Sequence, residues 1–196
     1  YRAVREFPED DSFRPVALSV DGQKLYVLTD EGRTQRELVL YDLAGAGAGQ
    51  GQTVFSKAGV DIDDVIRDAQ RQPIGIVYYE GGELKNEYFD PASQKINAQL
   101  AAAFPGSNIM VMDKDKSGDY SLIYVDSSTN PGSVFLFDLK TKSVEKIDDN
   151  APWLAKVKFG TSKTIKVTAR DGLLIESYLA MPPSSEKAPP LIVMPH

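Results

Sequence analysis

The sequence contains no cysteine and a single histidine, and each shortage removes a class of chemistry. Without cysteine there is no disulfide and no thiolate nucleophile, although the compartment stays open between cytoplasm and periplasm. Because His196 is the only histidine, any Ser-His-Asp relay inside the chain would depend on it. No Gly-x-Ser-x-Gly segment occurs, so we expect no triad catalysis from this chain.

Clustered positive charge and long apolar runs are also missing. The net charge is -6 and no lysine or arginine cluster is present, which argues against nucleic-acid binding. No run approaches the roughly 18 apolar residues of a membrane span, and no signal segment is recognisable. The composition is that of a soluble globular protein with ample apolar residues for a core, and it predicts neither a membrane partner nor a cofactor.

The sequence does contain a repeat of about fifty residues. An aromatic-Asp pair closes an apolar alternation three times at a spacing of 48 residues, at Tyr41-Asp42, Phe89-Asp90 and Phe137-Asp138. A second landmark precedes each pair by 21, 22 and 23 residues, at Asp21, Asp68 and Asp115. A fixed period of this size is typical of the blades of a β-propeller.

Strands alternate with turns between these landmarks. We predict strands at residues 15–20, 24–29, 37–43, 63–67, 74–79, 84–89, 109–113, 120–125, 133–139 and 143–147. The fold class is therefore mainly β, a partial propeller of about three four-stranded antiparallel blades. Because three blades do not close a ring, we expect further blades before Tyr1.

Two interruptions of the blades have their own signals. Pro91 follows Asp90, apolar residues recur every four positions, and Gly106 comes after them, which predicts a short helix over 93–103 outside the blades. The glycines of residues 45–51 do not keep a nucleotide-loop spacing, so we interpret that stretch as a flexible connector between blades.

The segment around Asp115 resembles a calcium loop. Asp113 and Asp115 stand at alternate positions before Gly118, and Asp119 follows it. Carboxylates spaced in this way can converge on one hard cation. The glutamate expected at the twelfth position is missing, and Tyr124 stands there. The repeat already explains the segment as a turn between strands, so the cation site is a weak candidate and no metal is predicted.

Four tyrosines in the predicted strands allow two interpretations. Tyr78, Tyr79, Tyr88 and Tyr124 could line a peptide-binding tunnel, or they could pack between blades. Packing is the favoured interpretation, because aromatic residues in strands are commonly buried.

The last fifty residues break the repeat. Residues 150–163 read as a linker with Trp153 as an anchor, and residues 164–170 and 174–181 as a hairpin with a two-residue turn at Asp171-Gly172. The apolar run 191–196 between prolines is typical of a strand buried on both faces of a parallel sheet.

These residues resemble the prolyl oligopeptidase family of serine peptidases, particularly its acylaminoacyl-peptidase-like bacterial members. The resemblance rests on Val167-Thr168-Ala169-Arg170-Asp171-Gly172-Leu173, on Ser177-Tyr178-Leu179 with Pro182-Pro183, and on Leu191-Ile192-Val193-Met194-Pro195-His196. In that family the segment opens the α/β-hydrolase domain directly after a propeller, and the strand is followed by His-Gly-Gly-Pro. Only the histidine of that motif is present here.

The resemblance implies an architecture and a role. Residues 1–149 would be propeller blades, 150–163 a linker, and 164–196 the N-terminal strands of a truncated α/β-hydrolase domain. His196 would open the oxyanion-hole loop, while the Ser, Asp and His of the triad lie outside this chain. The chain would then be a non-catalytic, substrate-gating part of a peptidase that hydrolyses short peptides, with the rest of the hydrolase domain as its partner.

Two alternatives remain open at this point. The chain could be a propeller module that binds a peptide or protein without catalysis, or part of a hydrolase fold that lacks its serine. In each case the unpaired edges predict association between copies.

Overall fold

The computed structural model describes residues 12–44, 49–183 and 189–194. The chain divides into two units, Tyr1–Leu100 and Ala101–His196, and strands dominate both. The predicted mainly β class is therefore confirmed. Within the described ranges, no helix is long and apolar enough to cross a membrane.

The first unit begins with a four-stranded antiparallel sheet in which chain neighbours are sheet neighbours. Its strands are β1 Phe13–Leu18, β2 Lys24–Thr29, β3 Glu37–Asp42 and β4 Gly51–Phe55. Such a meander is the topology of a propeller blade.

The end of the glycine-rich stretch, from Gly51, lies inside this sheet. The prediction that it connects two blades is wrong, because β4 begins at Gly51 and pairs with β3. The sequence of β4, Gly-Gln-Thr-Val-Phe, has no alternation of apolar and polar residues that would predict a strand. Residues 45–48 lie outside the described residues.

Both faces of the first sheet are buried. Because successive side chains of a strand point to opposite faces, neighbouring residues of β2 and β3 enter different clusters. One cluster joins this sheet to the second and contains Leu28, Leu38, Ile62, Val65, Ile76 and Tyr78. The cluster on the opposite face contains Phe13, Val27, Val39 and Tyr41.

The second sheet has three strands, and a helix follows them. It consists of β5 Ile62–Arg67, β6 Pro73–Glu80 and β7 Glu83–Tyr88, followed by α1 Pro91–Ala103. The prediction of a four-stranded blade is wrong here, because the chain after the third strand forms α1 where the other two meanders have a strand.

Local sequence explains where α1 begins and ends. Asp90 caps it, because its Oδ1 accepts a hydrogen bond of 2.8 Å from the Ser93 N–H, and Pro91 takes a first-turn position that needs no donor. Hydrogen bonds from Ser93 also hold the pKa of the Asp90 carboxyl below its usual value. Leu100 is buried, and Gly106 after the helix has a φ of 69°. The predicted helix is confirmed.

The second unit contains a four-stranded antiparallel meander. Its strands are β8 Asn108–Lys114, β9 Tyr120–Ser127, β10 Asn130–Asp138 and β11 Ser143–Asp149. They pair in chain order, as the sequence predicts. Ile123, Val125 and Phe137 are buried in this sheet.

A β-bulge interrupts the first strand of every meander. The register against the second strand shifts at Val16 in β1, at Asp63 in β5 and at Met112 in β8, positions that lie 47 and 49 residues apart. A bulge leaves one residue unpaired and increases the local twist. The fifty-residue period therefore extends to a backbone irregularity that no residue type marks.

A hairpin follows the third sheet. Its strands are β12 Thr161–Thr168 and β13 Leu174–Met181, which pair without a register shift. Their alternation places Ile165, Val167 and Ile175 on one face. Val167 is 46% exposed and Ile175 is 45% exposed, so this apolar face is largely open to solvent in the chain.

The turn of the hairpin differs from the predicted two-residue turn. The Ala169 N–H donates to the Leu173 carbonyl at 2.8 Å, which leaves three residues in the loop. Gly172 ends that loop with a φ of 89°, the left-handed conformation that three-residue hairpin loops require and that glycine adopts freely.

Two further predictions about this region are wrong. Trp153, in a short 3-10 helix at Pro152–Leu154, does not anchor the linker, because its side chain is 75% exposed. Residues 191–194 form no strand and are between 76% and 84% exposed. A strand buried on both faces needs neighbouring strands and covering helices, and the described residues supply none around this run.

Candidate functional site

Each meander has an aspartate in the turn between its first and second strands. Asp21 Oδ1 accepts from the Gln23 N–H at 3.0 Å, and Asp68 Oδ1 accepts from the N–H groups of Gln70 and Gln72 at 2.9 and 2.8 Å. Asp115 accepts from the Tyr120 N–H at 2.9 Å. The repeated aspartates are therefore side-chain caps of equivalent turns.

Nearby hydrogen-bond donors also lower the pKa of two of these aspartates. A hydrogen bond from the Ser19 hydroxyl, and then one from the Gln23 N–H, lowers the pKa of Asp21. The Ser117 hydroxyl and the Tyr120 N–H lower the pKa of Asp115 in the same way. Both carboxylates are stabilised in the ionised form by the turn that they close.

The candidate cation loop shows a similar arrangement. Ser117 Oγ bridges Asp115 and Asp119, and Lys140 Nζ lies 2.6 Å from Asp119 Oδ2. Asp113 is not part of this cluster, since its Oδ1 accepts from the adjacent Lys114 N–H. Among the described residues, no group of three or more His, Cys, Asp or Glu side chains could hold a metal ion.

A cleft of about 500 Å³ lies beside the turns of the first two sheets. Residues 16–20 form one wall, and residues 70–72 form the other. Leu18 is 52% exposed and Val20 is 85% exposed, while Gln72 Nε2 donates to the Leu18 carbonyl across the cleft at 3.0 Å. Apolar side chains beside amide groups and Arg71 are what an extended peptide segment would contact.

Arg14 joins the two sheets that form this cleft. Its guanidinium donates to the backbone carbonyl of Asp63, the bulged residue of β5, and Nη2 lies 3.5 Å from Asp64 Oδ1. A bulged residue is left out of the strand ladder, so its carbonyl can accept from a side chain. Arg14 therefore fixes β1 against β5 next to the cleft.

The four tyrosines that could either line a tunnel or pack in the core differ in their exposure to solvent. Tyr78 and Tyr88 are 5% and 9% exposed, so the core interpretation is confirmed for them. That interpretation is wrong for Tyr79, which is 53% exposed. Tyr79 lies near the end of β6, and its side chain points to the face opposite that of Tyr78, because successive side chains of a strand alternate between faces. Tyr124 is half-buried, and its hydroxyl donates to the Pro131 carbonyl at 3.2 Å.

The second sheet also carries a polar cluster. Lys57 Nζ donates to the Tyr78 hydroxyl at 2.8 Å and to Glu87 Oε2 at 3.3 Å, and Tyr78 donates to the same carboxylate oxygen at 3.2 Å. The bond to Tyr78 raises the pKa of Lys57. Every charge in this cluster has a partner of the opposite sign, so it ties the loop before β5 to the sheet.

The second unit has a smaller cleft of about 340 Å³ between the end of β11 and the 3-10 helix. Ser133, which is 3% exposed, donates to Asp149 Oδ1 at 2.6 Å, and Lys146 Nζ pairs with the same oxygen at 2.5 Å. The lysine and the serine hydroxyl lower the pKa of Asp149. Phe135, Leu154 and Phe159 form apolar parts of the wall.

His196 lies outside the described residues, so its role stays a prediction. The sequence also gave no signal for Arg14, because a contact to a backbone carbonyl across two sheets leaves no motif. The Lys57 cluster leaves no sequence motif either, because Tyr78 and Glu87 lie 21 and 30 residues from the lysine along the chain.

Comparison with known proteins shows a similarity of fold. No family model matches the chain, and no curated protein matches its sequence. Three solved structures with a similar fold come from peptidases, and each similarity extends over most of this chain.

These three structures illustrate the relation. A structure from a mechanistic study of two prolyl endopeptidases has a TM-score of 0.53 at 12% identity and covers 89% of this chain. A puromycin-hydrolyzing peptidase of Mycobacterium tuberculosis has a TM-score of 0.56 at 17% identity and covers 92%. A structure described as a dipeptidyl aminopeptidase IV of Bacteroides ovatus has a TM-score of 0.50 at 14% identity and covers 86%.

The similarity is one of fold and of part of a larger molecule. At 12% to 17% identity it does not extend to site residues or substrates. The chain spans only 25% to 27% of the length of these peptidases.

Proposed function

We propose that the chain is the substrate-gating propeller part of a serine peptidase that resembles prolyl oligopeptidases, together with the first strands of its α/β-hydrolase domain. Residues 1–149 belong to the blades, 150–163 to the linker and 164–196 to the hydrolase domain. The peptide substrate meets the triad in the part of the enzyme beyond this chain.

One observation carries this proposal. Three meanders followed by a hairpin form a fold that peptidases share over 86% to 92% of this chain, while the chain accounts for about a quarter of their length. A segment of this kind supplies a scaffold without a catalytic centre. The sequence agrees, since it lacks a Gly-x-Ser-x-Gly nucleophile segment.

The exposed apolar face of the hairpin supports the proposal that a further domain packs against it. Val167 and its directly opposed partner Ile175 are 46% and 45% exposed, which is unusual for an apolar cross-strand pair. Residues 191–194 are exposed as well. A hydrolase sheet would bury both segments, because its central strands are covered by helices on each face.

The full-length gene product tests the proposal directly. We expect it to form a covalent adduct with a fluorophosphonate serine probe and to hydrolyse chromogenic dipeptide substrates, whereas the 196-residue chain does neither. A full-length product that is neither labelled nor active would contradict the peptidase assignment. Labelling of the 196-residue chain would contradict its non-catalytic role.

A second candidate, a peptide-binding module without catalysis, is favoured by the cleft next to Arg71. Its apolar wall and its amide groups are suited to an extended peptide. Leu18→Asp should then weaken binding of the chain to unstructured peptides in a calorimetric titration, while Val54→Asp, on β4 and outside the cleft, should not. Equal binding by both variants would exclude the cleft as the site.

A further inference from the structure

The turn between the first and second strands of each meander contains a residue in the left-handed conformation. These residues are Gly22, Arg71 and Gly118, with φ values of 67°, 64° and 76°. The N–H of each donates to the carbonyl three residues earlier, at 2.8, 2.9 and 3.0 Å. The position is therefore the same in all three turns, and only the second meander has a side chain there.

Arginine is conformationally unfavourable at this position. A Cβ crowds the backbone at positive φ, so residues other than glycine are uncommon there, and those that occur are enriched in Asn, Asp and His. Glycine meets the same requirement in the two equivalent turns without this strain. Strained backbone of this kind is concentrated at binding and catalytic sites. The outlier therefore directs attention to the side chain of Arg71.

Arg71 lies in the wall of the cleft of about 500 Å³, and it is exposed. Among the described residues, the arginine ion pairs and side-chain hydrogen bonds belong to arginines other than Arg71. Asp21 and Asp68, the carboxylates next to the two walls in the sequence, accept hydrogen bonds from N–H groups of their own turns. The cleft therefore has a positive charge at its wall that no ion pair of the chain neutralises.

The other wall determines the rest of the ligand. Leu18 and Val20 are two residues apart and largely exposed, so they offer an apolar contact. Gln72 Nε2 donates to the Leu18 carbonyl and joins the two walls. A chain that passed between the walls would break this bond, whereas a chain that ends in the cleft leaves it intact. Because a guanidinium pairs with a carboxylate, the end that fits is the C-terminal one.

We propose that the cleft binds the C-terminal carboxylate of a short, extended peptide that ends in an apolar residue, with Arg71 as the counter-ion. The guanidinium donates to the carboxylate oxygens, and the last side chain of the peptide contacts Leu18 and Val20. This inference rests on the second candidate function, in which the cleft binds peptide, and it adds which end of the peptide is recognised and by which charge.

Two peptides that differ in one charge test recognition of the carboxylate. An N-acetylated tetrapeptide of three alanines and a terminal leucine is titrated calorimetrically into the 196-residue chain, as the free acid and as the C-terminal amide. We expect the acid to bind about three- to tenfold more tightly than the amide, as an accessible guanidinium–carboxylate pair allows. In Arg71→Gly the two affinities should become equal. The thermal midpoint of this variant should not fall, because glycine adopts the left-handed conformation freely.

Lys142→Gly is the matched control. Lys142 is the other residue besides glycine with a positive φ in the described part of the chain, at 57°, and it lies in the turn before β11. Its replacement removes one positive charge and similar strain outside the cleft, so the ratio of the two affinities should stay as in the unmodified chain. Equal binding of acid and amide by the unmodified chain overturns the proposal, as does a ratio that survives Arg71→Gly.

Leu18→Asp separates this inference from the candidate function on which it rests. If acid and amide bind equally to the unmodified chain and Leu18→Asp weakens both, the cleft binds peptides without recognising the carboxylate. The inference then fails and the candidate function stands. If neither peptide binds the unmodified chain, both fail.

Discussion

The Lys57 ammonium nitrogen lies 2.8 Å from the Tyr78 hydroxyl and 4.5 Å from the centroid of the same ring. The lysine thus contacts both the edge oxygen and the ring of one buried tyrosine. It ties the loop between the first two sheets to a strand of the second.

Tyr78→Phe should therefore destabilise the chain. The change removes the hydroxyl that bonds Lys57 and Glu87 but keeps the ring, and the free energy of unfolding should fall by about 0.5 to 1.5 kcal/mol. Urea denaturation followed by circular dichroism measures it. Tyr79→Phe is the matched control, because Tyr79 is 53% exposed and its hydroxyl should contribute little. Equal losses in both variants would contradict a role for the cluster.

Acidification should destabilise the turns. Asp115 has a pKa below the ordinary 3.8, so its stabilising contribution is complete above that value and is lost as the pH falls through the lowered folded pKa. Asp115→Asn should reduce the decline of unfolding free energy with falling pH, as measured by denaturation at several pH values below about 5. Asp113→Asn, outside the Ser117 cluster, is the control. A decline that is unchanged by Asp115→Asn contradicts the prediction.

Gly132→Ala should cost more than other substitutions of glycines with positive φ. An added Cβ would lie 1.9 Å from the Tyr124 hydroxyl, and the residue has a φ of 116°. Overpacking of this kind costs about 1 to 3 kcal/mol. Gly118→Ala, with a φ of 76° and open space around it, isolates the backbone effect. Thermal denaturation should show the larger loss for Gly132→Ala, and the close contact is unimportant if the two losses agree.

The open face of the hairpin should dominate nonspecific apolar binding by the chain. Val167→Thr with Ile175→Thr keeps β-branched residues in the strands but adds hydroxyls, so fluorescence of a bound naphthalene sulfonate dye should fall. Lys166→Thr with Glu176→Thr changes the opposite face at the neighbouring pair and should leave the fluorescence unchanged. Similar dye binding in all three proteins would mean that another surface is responsible.

The landmarks visible in the sequence corresponded to turns and strand ends. Asp21, Asp68 and Asp115 close equivalent turns, because aspartate can accept backbone N–H groups two and more residues ahead. Asp90, Pro91 and Gly106 mark the limits of α1 through equally local chemistry. β4 was missed since it has no periodic pattern, and its place depends on pairing with β3.

Trp153 and residues 191–194 were predicted to be buried, but they are exposed. Their apolar composition predicted burial, but burial needs surfaces that other elements provide, and the described residues provide none at these positions. The site contacts were equally hidden from sequence. Arg14 reaches the carbonyl of a bulged residue 49 positions away, and no residue type marks that carbonyl.

The sequence by itself determined the repeat, the aspartate-capped turns of the meanders, the limits of the helix and the alternation of the strands other than β4. These depend on φ preferences, side-chain capping and period-two burial, which act over a few residues. Only the tertiary structure decided that α1 packs along the edge of β7, where Gln94 and Asn97 bond to the backbone of that strand. That choice depends on contacts between elements, because a strand edge can be satisfied by another strand or by side chains, and local sequence does not distinguish the two.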